Sequence, residues 1–396
     1  MLRPPLEVAN IIRAAGDSFF DGRHKWLTWR HLKVLNAIVA CRTAALGGHI
    51  DACSRCGYRA ISFNSCRNRH CPKCQANARD RWLAARRRDL LPARYVHVVF
   101  TLPSALAPVA LQNKREIYGL LFRASAETLL QVARDPRHLG AELGFFSVLH
   151  TWNQQLLHHP HVHCVVPAGG LAPDHTRWIP APSHFFLPVK VLSRVFRGKF
   201  VAGLRHLHRH GKLSFSGTLS HLQSQKAFSA WLRSVYRSDW VVYSKPPFGG
   251  SEHVLHYLGA YTHRIAISNH RLVDLADGLV TFRWRDSAHK NKKRLARLPV
   301  EEFLRRFLLH VLPRSFVRIR HFGFYAHRRR AALVPLCRQL LGVIQTPANT
   351  QVQQSDASPD ATLWTCPHCQ GAMVVVERLT PQEVRLRSPP DPTSCS

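Results

Sequence analysis

His161 and His163 flank a single valine in the stretch HPHVHCVVP. Residues two apart on a β-strand project from the same face, so a strand here aims both imidazoles into one site while Val162, Cys164 and Val166 face a core. Neutral imidazole is a common metal ligand, and two of them make half of a divalent-cation shell. A third protein ligand is expected; His97, His150 and Gln154 are the candidates, and the residues alone do not choose among them. The plain alternative is chance, since the chain carries 26 histidines.

Cys53-Ser-Arg-Cys56 and Cys71-Pro-Lys-Cys74 are two CxxC knuckles with 14 residues between them. That spacing suits four thiolates around one tetrahedral zinc ion, with Cys66 and His70 as alternates for a ligand position. Arg67, Arg69 and Lys73 hang from this frame and suit phosphate and base-edge contacts. Cys366-Pro-His-Cys369 is half a zinc site and is expected to stay without metal unless distant ligands such as Cys337 or Cys395 complete it. Tyr257 and Tyr261, four residues apart, put two phenols on one face of a helix; packing is the ordinary reason for such a pair, and shared reach to one substrate the sharper one.

The elements that must hold these groups follow from periodicity. Residues 95–102 (YVHVVFTL), 145–149 and 161–166 read as strands, and 107–135 between them as an amphipathic helix. Further helices are expected over 189–210, 225–236, 252–265 and 300–311, with strands at 279–284, 316–320 and 373–376. The mixed order indicates an α+β fold with an antiparallel sheet and flanking helices. Three regions emerge: a helical lead-in and zinc-binding module over 1–92, a mixed strand and helix region over 93–345, and a flexible tail rich in Gln, Ser, Pro and Asp over 346–396.

Lys and Arg total 56 against 23 Asp and Glu, a formal net charge of +33. A field that large in a chain with 45% hydrophobic residues calls for a polyanionic partner, nucleic acid before membrane. The basic runs 79–88, which include Arg86 and Arg87, 290–297, which include Lys292, Lys293 and Arg294, and Arg328 to Arg330 would supply the path. Trp82, Trp284 and Tyr325 lie near them as candidates for base stacking. No apolar run is long enough to span a bilayer, no P-loop pattern marks a nucleotide cofactor, and cysteine usage suits a reducing compartment. A cytoplasmic, nucleoid-associated protein is expected.

HPHVHCVVPAGG, followed some 90 residues later by YLGAYTHRIAISNHRL, resembles the HUH two-tyrosine transposases of rolling-circle insertion sequences. CSRCG…SCRNRHCPKCQ is similar to that family's zinc-binding domain, and YVHVVFTLP, LHTWNQQL and SFVRIRHFGFYA follow in the family's order. The resemblance implies that residues 93–345 are the catalytic domain, an HUH nuclease core acting on single-stranded DNA at element ends. It implies His161 and His163 as ligands of a catalytic Mg²⁺ or Mn²⁺, Tyr257 and Tyr261 as nucleophiles that form a 5′-phosphotyrosine, and structural Zn²⁺ in the N-terminal module. A replication-initiator nickase with the same chemistry, and a zinc DNA-binding protein without catalysis, are the competing readings.

Overall fold

The computed structural model describes residues 4–20, 26–75, 83, 89–182, 184–245, 266–286, 289, 291–342 and 365–387. Its strands are β1 (Gly48–Cys53), β2 (Arg59–Phe63), β3 (Tyr95–Thr101), β4 (Gly144–Trp152), β5 (His158–Pro167), β6 (Gly169–Leu171) and β7 (Trp178–Pro180), then β8 (Val242–Ser244), β9 (Leu272–Ala276), β10 (Leu279–Asp286), β11 (Lys292–Pro299), β12 (Ile319–Gly323) and β13 (Met373–Leu379). The fold is α+β, as the periodicity indicates.

The principal sheet has the order β12-β4-β5-β3-β8, every pairing antiparallel. β3, β4 and β5 occupy its middle, which explains their dense β-branched and aromatic content: central strands are covered on both faces. One face carries Val96, Val98, Phe100, Val162, Cys164 and Val166 into the largest apolar cluster, packed beneath helices Lys114–Arg134 and Val189–Arg209. Phe100 meets Phe196 of the second helix edge to face, 5.0 Å between ring centres. The register places His161 opposite both His150 and Thr101, and His163 opposite both Val148 and Val99, so these side chains share the other face.

The stretch 107–135 forms two helices rather than one, Ala107–Gln112 and Lys114–Arg134. Asn113 leaves helical conformation at φ −123° and ψ 46°, and its side-chain amide donates to the carbonyls of Val109 (3.1 Å) and Ser214 (2.8 Å). A short polar side chain offers the backbone this alternative, and here it breaks the helix. The basic run beginning at Lys292 is strand β11, the edge of the meander β11-β10-β9, where charged side chains discourage further strand pairing. That meander packs on helices Val8–Ala14 and Val300–Leu309.

β1 and β2 form a hairpin that periodicity did not reveal, and β13 pairs with the other side of β1, giving the order β13-β1-β2. The expectation of a flexible tail over 346–396 is therefore corrected for residues 365–387: β13 and helix Pro381–Arg387 are docked on the N-terminal module, with Leu379 and Val384 buried.

Candidate functional site

β4 and β5 form the hairpin on which the histidines converge. The candidate donor atoms of His150, His161 and His163 all lie within 4.8 Å of one another. Of the three candidates for the third ligand, His150 is the one whose donor atoms gather with those of His161 and His163, as the direct cross-strand partner of His161. Gln154 sits exposed in the turn of the hairpin, its carbonyl accepting from Arg271. His97 stacks on His163, and its Nε2 lies 2.8 Å from His163 Nδ1. It lies outside the group formed by His150, His161 and His163 and contacts that group through His163.

Hydrogen bonds fix which nitrogen each ring can offer. His161 Nδ1 donates to the carbonyl of His159 at 2.7 Å, leaving Nε2 as the atom this ring can offer a cation. With Nδ1 of His163 engaged by His97, Nε2 is the atom that ring offers as well. Burial is the first cause that lowers His161 to about 4 and His163 well below its usual value; for His163 the neighbouring imidazoles His150, His161 and His97 lower it further. Burial and Lys245 lower His97 to about 3. At neutral pH these rings are uncharged, the state in which imidazole binds a cation.

The turn itself is braced. His310 Nε2 donates to the Leu156 carbonyl at 3.0 Å, and Nδ1 meets Thr151 Oγ1 at 3.1 Å. Nothing in the spacing of His310 announced this role, because its partners lie more than 150 residues away.

The cysteines gather differently from the expectation of one site built from Cys53, Cys56, Cys71 and Cys74. Cys71 and Cys74 join Cys41 and Cys66; Cys53 and Cys56 join Cys366 and Cys369. Sγ–Sγ separations of 3.5 Å (Cys41–Cys74) and 3.6 Å (Cys66–Cys74) in the first cluster are near the about 3.8 Å expected between thiolates at the corners of a zinc tetrahedron. The physical reason for the regrouping is the β1-β2 hairpin: the first knuckle forms its turn, and β2 (Arg59–Phe63) runs back from that turn before the chain reaches Cys66, Cys71 and Cys74, so the two knuckles lie at opposite ends of the strand. Cys66, held as an alternate, is a member; His70 is not, because its Nδ1 faces Asn68 and its Nε2 accepts from the N–H of Leu312. Backbone N–H groups of Cys56 and Arg55 lower the Cys53 thiol to about 6, which favours the thiolate a metal requires.

Two of the basic residues expected at nucleic acid are committed to the protein. Lys73 pairs with Glu7 at 2.6 Å and donates to the Cys41 carbonyl, and the Arg69 guanidinium donates to the carbonyls of Phe316 and Pro313. Arg67, Lys292 and Lys293 are exposed; Arg294 is exposed too but pairs with Asp286 at 2.9 Å. Tyr325 is buried against Tyr95 and is no stacking platform, while Trp284 packs partly buried against the meander core. Tyr257, Tyr261, Arg86, Arg87 and Trp82 lie outside the described residues. A cavity of about 710 Å³ opens along edge strand β12, with Arg115, Arg320, His321 and Arg330 in its walls.

Two family models match the chain: a putative transposase over residues 144–332 and a transposase zinc-binding domain over residues 11–102. The class is thus a transposase, a DNA-processing enzyme whose N-terminal cysteines suit structural zinc. The putative transposase y4qJ of Sinorhizobium fredii is 52% identical over 384 residues, covering 95% of this chain and 96% of that protein. The transposase for insertion sequence element IS801 of Pseudomonas savastanoi pv. phaseolicola is 26% identical, covering 90% and 87%. Among solved structures, the metal-free conjugative relaxase TrwC in complex with oriT DNA overlaps at a TM-score of 0.24 and 15% identity, over 41% of this chain and 71% of that one, too low to bear on the site. The chain belongs to the insertion-sequence transposases that carry an N-terminal zinc-binding domain.

Proposed function

We propose that this transposase is an HUH-type nickase and strand transferase of a rolling-circle element, acting on single-stranded DNA at the element ends. The observation that carries the reading is the convergence of His150, His161 and His163 on the sheet face opposite the one that packs against helices Lys114–Arg134 and Val189–Arg209. These residues would hold Mg²⁺ or Mn²⁺, which when bound supplies charge neutralisation at a scissile phosphate. The phenol oxygen of Tyr257 or Tyr261 attacks phosphorus and the bond to O3′ breaks. The phenol proton is released, the leaving oxygen becomes a 3′-hydroxyl, and the 5′-phosphate stays linked to the tyrosine. Phenol has an ordinary pKa near 10, so such a step needs the cation's help at neutral pH. The second phenol accepts the next strand while the first link persists, and the 3′-hydroxyl is left to prime synthesis.

Exposed Arg67, Lys292 and Lys293 contribute to the DNA path, and the net charge of +33 supports a polyanionic substrate. Residues 93–345 form the catalytic domain in this reading, and residues 1–92 a module that recognises DNA.

Incubation with single-stranded DNA bearing the element end and Mn²⁺, followed by a denaturing gel, tests the proposal. A covalent protein–DNA band is expected. It should weaken in Tyr257→Phe and Tyr261→Phe, and vanish in the double variant and in His163→Ala. An adduct that survives the double variant overturns the nucleophile assignment.

A further inference from the structure

Cys366 and Cys369 lie beyond the matched zinc-binding domain and more than 300 residues along the chain from Cys53 and Cys56, yet they face that first knuckle. We propose that Cys53, Cys56, Cys366 and Cys369 bind a second zinc ion, distinct from that of Cys41, Cys66, Cys71 and Cys74, and that this ion clasps the C-terminal segment onto the N-terminal sheet.

The four sulfurs lie within 4.8 Å of one another, with 3.4 Å between Cys53 and Cys369 and 3.6 Å between Cys56 and Cys366. These separations are well beyond the roughly 2.05 Å of a disulfide and near the tetrahedral spacing of about 3.8 Å around zinc. The two halves use the same turn. Gly57 N–H donates to the Cys53 carbonyl at 3.1 Å, and Gln370 N–H to the Cys366 carbonyl at 2.9 Å. The residue after each second cysteine is left-handed, Gly57 at φ +72° and Gln370 at φ +59°. A glutamine is an unfavourable occupant of that conformation, so the surroundings must impose it.

Gly371 shows how closely the halves are fitted. A Cβ there would sit 3.1 Å from Cys53 Sγ, 3.3 Å from Cys369 Sγ and 3.0 Å from Arg55 Cβ, so the backbone passes against the sulfurs where no side chain has room. Ser54 ties the knuckles further, its N–H and Oγ both donating to the Ala372 carbonyl at 3.0 and 3.1 Å, and the Tyr58 ring lies 4.5 Å from that of His368. From there β13 runs along β1, from Cys53 opposite Met373 to Gly48 opposite Leu379.

The apolar contribution at this junction is small: Cys53, Cys366 and Met373 are buried together, with Cys369 beside them. So small a core does not hold two chain segments without a cross-link, and metal supplies one in small cysteine-rich modules. Val374, Val375 and Val376 are all about half exposed, so β13 is held by backbone pairing and by its end at the sulfurs more than by burial along its length.

The test uses the full chain, purified under reducing conditions, with zinc measured by plasma mass spectrometry and backbone protection by hydrogen exchange. Two zinc ions per chain are expected, falling to one in Cys366→Ser/Cys369→Ser, with protection of residues 373–379 lost in that variant. The retained ion reports that the first cluster, and the module around it, remain folded. Gly371→Val keeps all ligands but crowds the sulfurs, and should release one zinc of two to a competing chelator more readily. A single zinc in the natural protein, or two in Cys366→Ser/Cys369→Ser, overturns the proposal.

Discussion

The histidine site and the split cysteine cluster are both proposed metal-ligand sets, and their residues are assembled in opposite ways. His150, His161 and His163 come from one β-hairpin, so the register that forms β4 and β5 also aligns the ligands. Cys53 and Cys56 meet partners 310 and more residues away, and no local pairing brings them together. A local site is preorganised by its fold, whereas a distant one must offset loop closure with the free energy of the bond it makes. The first should therefore lose metal without losing structure, and the second should not.

Removing metal breaks or sharpens that contrast with the largest expected effect. A strong chelator should abolish exchange protection in β1, β2 and β13, since structural zinc sites contribute on the order of 10 kcal/mol to folding. β3, β4 and β5, whose central positions are buried under two helices, should keep their protection in the same sample. Parallel loss in both regions would mean a single cooperative unit, and the contrast would fail.

A second effect, smaller, concerns how the local site is tuned. His97→Gln removes the ring that holds His163 Nδ1 at 2.8 Å but leaves every ligand in place. Partners of metal-bound histidines typically change affinity about 10- to 100-fold, so Mn²⁺ binding, measured by calorimetry, should weaken within that range. The melting temperature in the absence of metal should fall little. A variant with unchanged Mn²⁺ affinity would show that His163 is held by the hairpin alone.

The same contrast explains what the sequence made legible. Alternation in HVHCVV identified the strand that carries His161 and His163 on one face, because a strand's period of two writes its faces into adjacent residues. The choice of His150 over His97 and Gln154 required register, which depends on where the β4–β5 turn falls, and that turn is set partly by His310 from far along the chain. CxxC spacing identified four zinc-type cysteines but joined the wrong halves, since the first knuckle is the turn of the β1-β2 hairpin and the length of β2 separates it from the second. Cys41, a lone cysteine ending a helix, carried no motif, and Cys366 and Cys369 gave no sign of which half would complete them. Basic residues were the least legible of all. Charge is visible in sequence, but whether a cation faces solvent or a buried carboxylate, as Lys73 faces Glu7, is decided by packing.

The smallest expected effect separates those two kinds of cation. Lys292 lies exposed on edge strand β11, its charge free to interact through solvent, whereas the Lys73 side chain is 9% exposed and bound to Glu7. Neutralising one phosphate contact lowers the slope of log K against log salt by about 1, uniformly across sequences. Lys292→Gln should therefore weaken single-stranded DNA binding modestly at low salt, with the difference shrinking as salt rises, and should leave stability within about 0.5 kcal/mol. Binding isotherms at three or four salt concentrations measure it. An unchanged slope would place the DNA path away from the meander and leave β11's charges the single task of keeping that edge unpaired.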